Sequence, residues 1–143
     1  MKKNLLSLMT ALFLGSAALS AQTVTDKGEG KYALRVGDVT MVVDASRGGK
    51  IVSYKYGDKE ILSQTRMPNS FGSTFWTSPQ SEWNWPPVPE YDTKPFDAEV
   101  TGDKLVLTGE KSVRFGYRVR KEFVADSKDK AIVITYTIVN ESG

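Results

Sequence analysis

The sequence predicts an all-β protein, an antiparallel sandwich. Three observations lead there. Beyond the first 21 residues apolar side chains recur with period two. Gly- and Asp-containing turns separate these runs every ~8–12 residues. No stretch of the same region has the 3.6-residue apolar period of an amphipathic helix.

The elements follow in chain order. Tyr32, Leu34 and Val36 alternate with Ala33 and Arg35, and Gly37-Asp38 turns the chain. Val39, Met41 and Val43 alternate next, closed by Ser46-Arg47-Gly48-Gly49. Ile51 to Tyr56 puts Val52, Tyr54 and Tyr56 on one face, and Gly57-Asp58-Lys59 leads into Glu60-Ile61-Leu62. Such short runs joined by tight turns read as antiparallel strands. In the second half, Ala98-Glu99-Val100 and Leu105-Val106-Leu107 flank Thr101-Gly102-Asp103-Lys104, a hairpin pattern. Phe115, Tyr117 and Val119 alternate with Arg114, Gly116, Arg118 and Arg120, which predicts a strand with one apolar and one basic face. Ile132 to Val139 is the longest β-branched run, and both its faces are partly apolar. That pattern predicts a strand in the middle of a sandwich. A strand so placed needs neighbours on both sides, so the expectation is that these residues form the N-terminal part of a longer protein.

Residues 1–21 are read separately from the fold. Lys2 and Lys3 precede the apolar run Leu5 to Leu19, and Ala18, Ser20 and Ala21 are small. This is the order of a secretory signal peptide, with an apolar run shorter than the ~20 residues that span a bilayer. Cleavage after Ser20 or Ala21 is expected, which leaves residues 22–143 as the domain. There is no cysteine, hence no disulfide, no thiolate metal site and no lipid-bearing residue at the end of the signal. The expected location is the periplasm or the exterior, with no membrane association after cleavage.

Charge and composition exclude several functions. The whole chain has 19 basic and 17 acidic side chains, and its excess of basic ones is Lys2 and Lys3. The domain is therefore neutral and gives no electrostatic reason to expect nucleic acid as a partner. No histidine is present, so these residues supply no Ser-His-Asp triad, no imidazole acid–base chemistry and no His-ligated metal.

One segment breaks the strand rhythm. Between residues 64 and 96 the alternation lapses, and long irregular loops in small domains are often functional. It carries all three tryptophans, Trp76, Trp83 and Trp85, together with Pro79, Pro86, Pro87 and Pro89. Indole rings offer flat apolar surface with a polar handle, which suits the C–H faces and hydroxyl edges of a sugar. Gln80, Glu82, Asn84, Glu90 and Asp92 add donors and acceptors, and the prolines hold an extended backbone that loses little entropy on binding. The candidate ligand-binding residues are thus Trp76, Gln80, Glu82, Trp83, Asn84 and Trp85. The competing reading is packing: Trp76, in Phe71-x-x-x-Phe75-Trp76, also fits a core residue, and prolines blunt sheet edges. The acids Glu82, Glu90 and Asp92 have no calcium-ligand spacing, so no metal is expected there. Arg114, Arg118 and Arg120 fit an acidic-sugar clamp, or more simply a solvated face paired with Glu99, Glu110 or Glu122.

"GGKIVSYKYGDKEIL" (Gly48 to Leu62), "FGSTFWTSPQSEWNWPP" (Phe71 to Pro87) and "ITYTIVNES" (Ile134 to Ser142) resemble the galactose mutarotase-like, or aldose 1-epimerase-like, superfamily. The second stretch is similar to an exported, uncharacterised bacterial branch of it. The resemblance implies an antiparallel β-supersandwich about twice this length, of which residues 22–143 are the N-terminal part. It implies interconversion of sugar anomers without cofactor or metal. A carboxylate takes the anomeric proton and a histidine donates one to the ring oxygen, mostly from the other half of the fold. The implied partner is a small-molecule or oligosaccharide ligand. Where the family often carries a sugar-contacting arginine, Thr77-Ser78-Pro79-Gln80-Ser81-Glu82 has none. That departure bears on mutarotation and leaves sugar binding open. The function expected is carbohydrate binding or processing by an exported protein of aldose 1-epimerase-like type, with the catalytic half outside this chain. The alternative is a non-catalytic structural or sugar-binding module of a polysaccharide-handling system.

Overall fold

The computed structural model describes residues 23–65, 67 and 71–143. The signal-peptide reading lies outside them. Two antiparallel sheets face each other, as the sequence predicts. The first is a meander of β1 (Val24–Gly28), β2 (Lys31–Val36), β3 (Val39–Asp44), β4 (Lys50–Tyr56) and the two-residue β5 (Lys59–Glu60). The second is a meander of β6 (Phe96–Thr101), β7 (Lys104–Gly109), β8 (Tyr117–Asp126) and β9 (Ala131–Asn140). Within each sheet every strand pairs with its successor because the turns between them are short, and β2 and β3 lie over β8 and β9.

The period-two pattern becomes two inner faces. Leu34, Met41 and Val43 of the first sheet pack with Leu105, Leu107, Val119 and Phe123 of the second, all buried. Each such side chain contributes roughly 1.5–3 kcal/mol by leaving water. The hairpin expected around Gly102-Asp103 is present, with Val100 opposite Leu105 and Thr101 opposite Lys104. β1 has no counterpart in the sequence reading. Only Val24 of its five residues is buried, so it has no alternation to detect.

One expectation needs correction. Phe115 lies outside β8, in the turn closed by the Gly116 amide donating to the Ser112 carbonyl at 2.8 Å. β9 has one partner among the described residues, β8. Ile138 stands opposite buried Val119 and so shares the core side of the sheet, yet it is 51% exposed. Across the sandwich Tyr54, opposite Met41, and Tyr56, opposite Val39, are exposed as well.

Candidate functional site

The chain between β5 and β6 builds the site. A single 3₁₀ turn, Gln80–Glu82, and a one-turn helix α1, Pro89–Asp92, interrupt it. These are the helical elements that the sequence reading did not anticipate, each too short to show a period. Proline opens α1 at a position where the missing N–H costs nothing. The amides of Asp92 and Thr93 close its turn on the carbonyls of Val88 and Pro89, at 3.2 and 3.0 Å.

The tryptophans divide between packing and solvent. Trp83 is the core one, 5% exposed, with its Nε1–H donating to the Thr77 carbonyl at 2.9 Å. Trp76 is 45% exposed and Trp85 67% exposed. Trp76 therefore is not the packing residue that Phe71-x-x-x-Phe75-Trp76 suggested; Trp83 is. The Trp76 ring meets Trp85 edge to face, 6.0 Å between centroids at 87°, and Trp83 at 5.9 Å and 61°.

Trp76 and Trp85 stand beside a hollow of about 280 Å³ walled by Pro86, Pro87 and Pro89. Its polar lining is Thr74, Thr93 and the carboxylate residue Asp92. Asp92 is fixed from two directions: the Trp76 Nε1–H donates to its Oδ1 at 3.2 Å, and the Lys50 ammonium lies 2.9 Å from the same oxygen. The Lys50 Nζ is buried and makes no hydrogen bond of good geometry, so this contact is an ion pair. Trp85, Pro86, Pro87 and Pro89 also wall a second hollow of about 520 Å³, completed by Trp83, Val113, Arg114 and Glu90. Gln80, Glu82 and Asn84 are exposed and line neither hollow.

Behind Asp92 lies a second buried lysine. Lys121 is 2% exposed and donates to the carbonyls of Gly48 and Gly49 at 2.6 and 3.3 Å. Its ammonium also faces the rings of Phe96, Tyr136 and Phe75, at 5.1, 5.7 and 5.9 Å from their centroids. Burial and, after it, the Lys50 charge lower its pKa to about 8, with Asp92 acting the other way. The Gly48-Gly49 turn joins this cluster to α1. The Gly48 amide donates to the Lys94 carbonyl at 2.8 Å, and a Cβ on Gly48 would lie 2.1 Å from the Asp92 carbonyl oxygen.

The arginines have other partners. Arg118 grips Glu141 with two N–H groups at 2.7 and 3.1 Å, and Arg120 pairs with Glu122 at 3.0 Å. Arg114 donates to the main-chain carbonyls of Glu82 and Trp83, which ties the 3₁₀ turn to the second sheet. It thus enters the segment whose own residues, 77–82, lack an arginine.

The chain finds no match among family models, curated proteins or solved structures. Among the described residues no helix is long and apolar enough to cross a membrane. Nor do three or more acidic side chains there gather as for a metal ion. What the site offers chemically is aromatic surface beside one buried, ion-paired carboxylate and two threonine hydroxyls.

Sequence reasoning missed Lys50 and Lys121 and named Asp92 only as one of several polar groups. Lys121 had a usable signal. It falls on the same alternation as Val119, Phe123 and Ala125, which places it on the core face of β8. Lys50 follows a Gly-rich turn, and nothing local marks it.

Proposed function

We propose that this chain is the carbohydrate-binding part of an exported protein of aldose 1-epimerase-like type. The observation that carries the reading is the pair Trp76 and Trp85, both solvent-facing, around a hollow lined by Asp92, Thr74 and Thr93. Aromatic faces match the C–H surfaces of a pyranose, and a carboxylate with hydroxyl neighbours matches its O–H groups. The walls are proline-rich and the carboxylate is already held, so little ordering accompanies binding. The segments quoted above add the resemblance to the mutarotase-like superfamily, and residues 1–21 add export.

These residues hold no histidine, so the acid of the family's reaction is not among them. This favours the second reading, sugar binding without turnover in a polysaccharide-handling system. Proton NMR of anomer exchange, with the protein added to freshly dissolved aldoses, separates the two. Binding is tested by tryptophan fluorescence during titration with a glycan panel. Trp85→Ala is expected to abolish the response while leaving the melting curve in place, because the ring is mostly in water. A panel that leaves the wild-type fluorescence unmoved refutes the carbohydrate reading.

A further inference from the structure

The two hollows share a wall. Trp85, Pro86, Pro87 and Pro89 line both, and Trp85 is the most exposed of the three indoles. The first hollow, about 280 Å³, is just below the ~300–1,000 Å³ range of drug-sized-ligand sites, a size for one sugar ring. The second, about 520 Å³, carries its own polar groups, Arg114 and Glu90. Arg114 spends one N–H of each terminal nitrogen on the carbonyls of Trp83 and Glu82. A guanidinium has five N–H donors, so others remain for a ligand. Glu90 is held by Lys94 at 3.1 Å.

We infer that the ligand is an oligosaccharide of at least two units that straddles the Trp85-Pro86-Pro87 ridge, with one ring in each hollow. The inference rests on the carbohydrate reading above and specifies its substrate class. A single ring over Asp92 leaves the second hollow, with Arg114 and Glu90, in contact with water only. A chain saddled on the ridge uses both polar sets and both sides of the Trp85 wall. Its second ring is gained without a second loss of translational freedom, as for any linked pair of sites. The pairing of Arg118 and Arg120 with glutamates leaves Arg114 as the cation of that former trio that lines a hollow.

The test is isothermal titration of the full chain with mono- to tetrasaccharide series of glucose, galactose, mannose and galacturonate. In the series that binds, the di- or trisaccharide is expected to bind about tenfold more tightly than its monosaccharide, the size of one added aromatic contact. Val113→Glu then probes the second hollow. Val113 is 95% exposed, so the fold does not depend on it, and a longer acidic side chain there competes for Arg114. This variant is expected to flatten the dependence on chain length. Equal affinity for mono- and oligosaccharides overturns the straddling mode and leaves the carbohydrate reading standing. A length dependence that Val113→Glu does not change also overturns it. Absence of binding in every series refutes the carbohydrate reading, and this inference falls with it.

Discussion

Gly48→Ala tests whether the β3–β4 turn holds Asp92 in place. Gly48 has φ of +66° and an added Cβ would sit 2.1 Å from the Asp92 carbonyl oxygen and 2.5 Å from its carbonyl carbon. Two costs follow. An alanine in the left-handed region costs about 1–2 kcal/mol. Relieving the clash means opening the contact by about 1 Å against main chain, an overpacking cost of roughly 1–3 kcal/mol. The expected total is therefore about 2–5 kcal/mol. Gly57→Ala is the control, because Gly57 has φ of +55° but nothing within 4 Å of its Cβ position. It should show the first cost alone. Urea melts of both variants, at one protein concentration, read the difference. A gap of about 1–3 kcal/mol corresponds to roughly 4–12 °C in melting temperature for a domain of this size. Affinity for saccharide should fall in Gly48→Ala and not in Gly57→Ala, since only the first displaces Asp92. Equal destabilisation by the two substitutions would show that the turn does not press on α1 and would refute the reasoning.

Two further outcomes follow from the buried charges. Lys121 has a folded pKa of about 8, below its ordinary value of 10.5. Between those values the unfolded chain binds the extra proton, so the Lys121 contribution to stability rises as pH climbs from about 8 towards 10. The span corresponds to about 3 kcal/mol at most. Lys121→Met should therefore lie close to wild type at pH 7, where loss of a desolvated charge offsets loss of two hydrogen bonds, and fall behind it at pH 10. Chemical denaturation of both proteins across that range checks this, and a constant difference would sink it. Burial raises the Tyr91 and Tyr136 pKa values, which lowers stability as pH approaches and passes 10, but both proteins carry these tyrosines, so the difference between them still reads Lys121. For the Lys50–Asp92 pair, Lys50→Met and Asp92→Asn should each cost about 3–5 kcal/mol by leaving a buried partner uncompensated. The double variant should cost clearly less than their sum, and additive losses would mean that the two charges do not depend on each other.

How much of this was readable beforehand depends on whether a feature is encoded locally. Leu34, Val36, Met41 and Val43 are spaced by the pleat itself, so each strand announced its buried face within six residues. The hairpin from Phe96 to Gly109 was readable for the same reason, with its turn residues in between. β1 was not, because a strand that buries only Val24 has no pattern. The segment from Phe71 to Phe96 stands out as the candidate site by its density of Trp and Pro, but which indole packs and which faces water is beyond local reasoning. That choice is made by distant residues: Arg114 holds the carbonyls of Glu82 and Trp83, while Lys50 and Trp76 together hold Asp92. Lys50 and Asp92 are 42 positions apart, and neither is unusual among its neighbours. Gly48, two residues before Lys50, carries a trace of the encounter, since a side chain there would occupy the space that the Asp92 main chain needs. A glycine in a β-turn usually signals backbone conformation. Here it also marks where a second segment crosses, which makes close approach at glycines the most useful local clue to long-range contacts at this site.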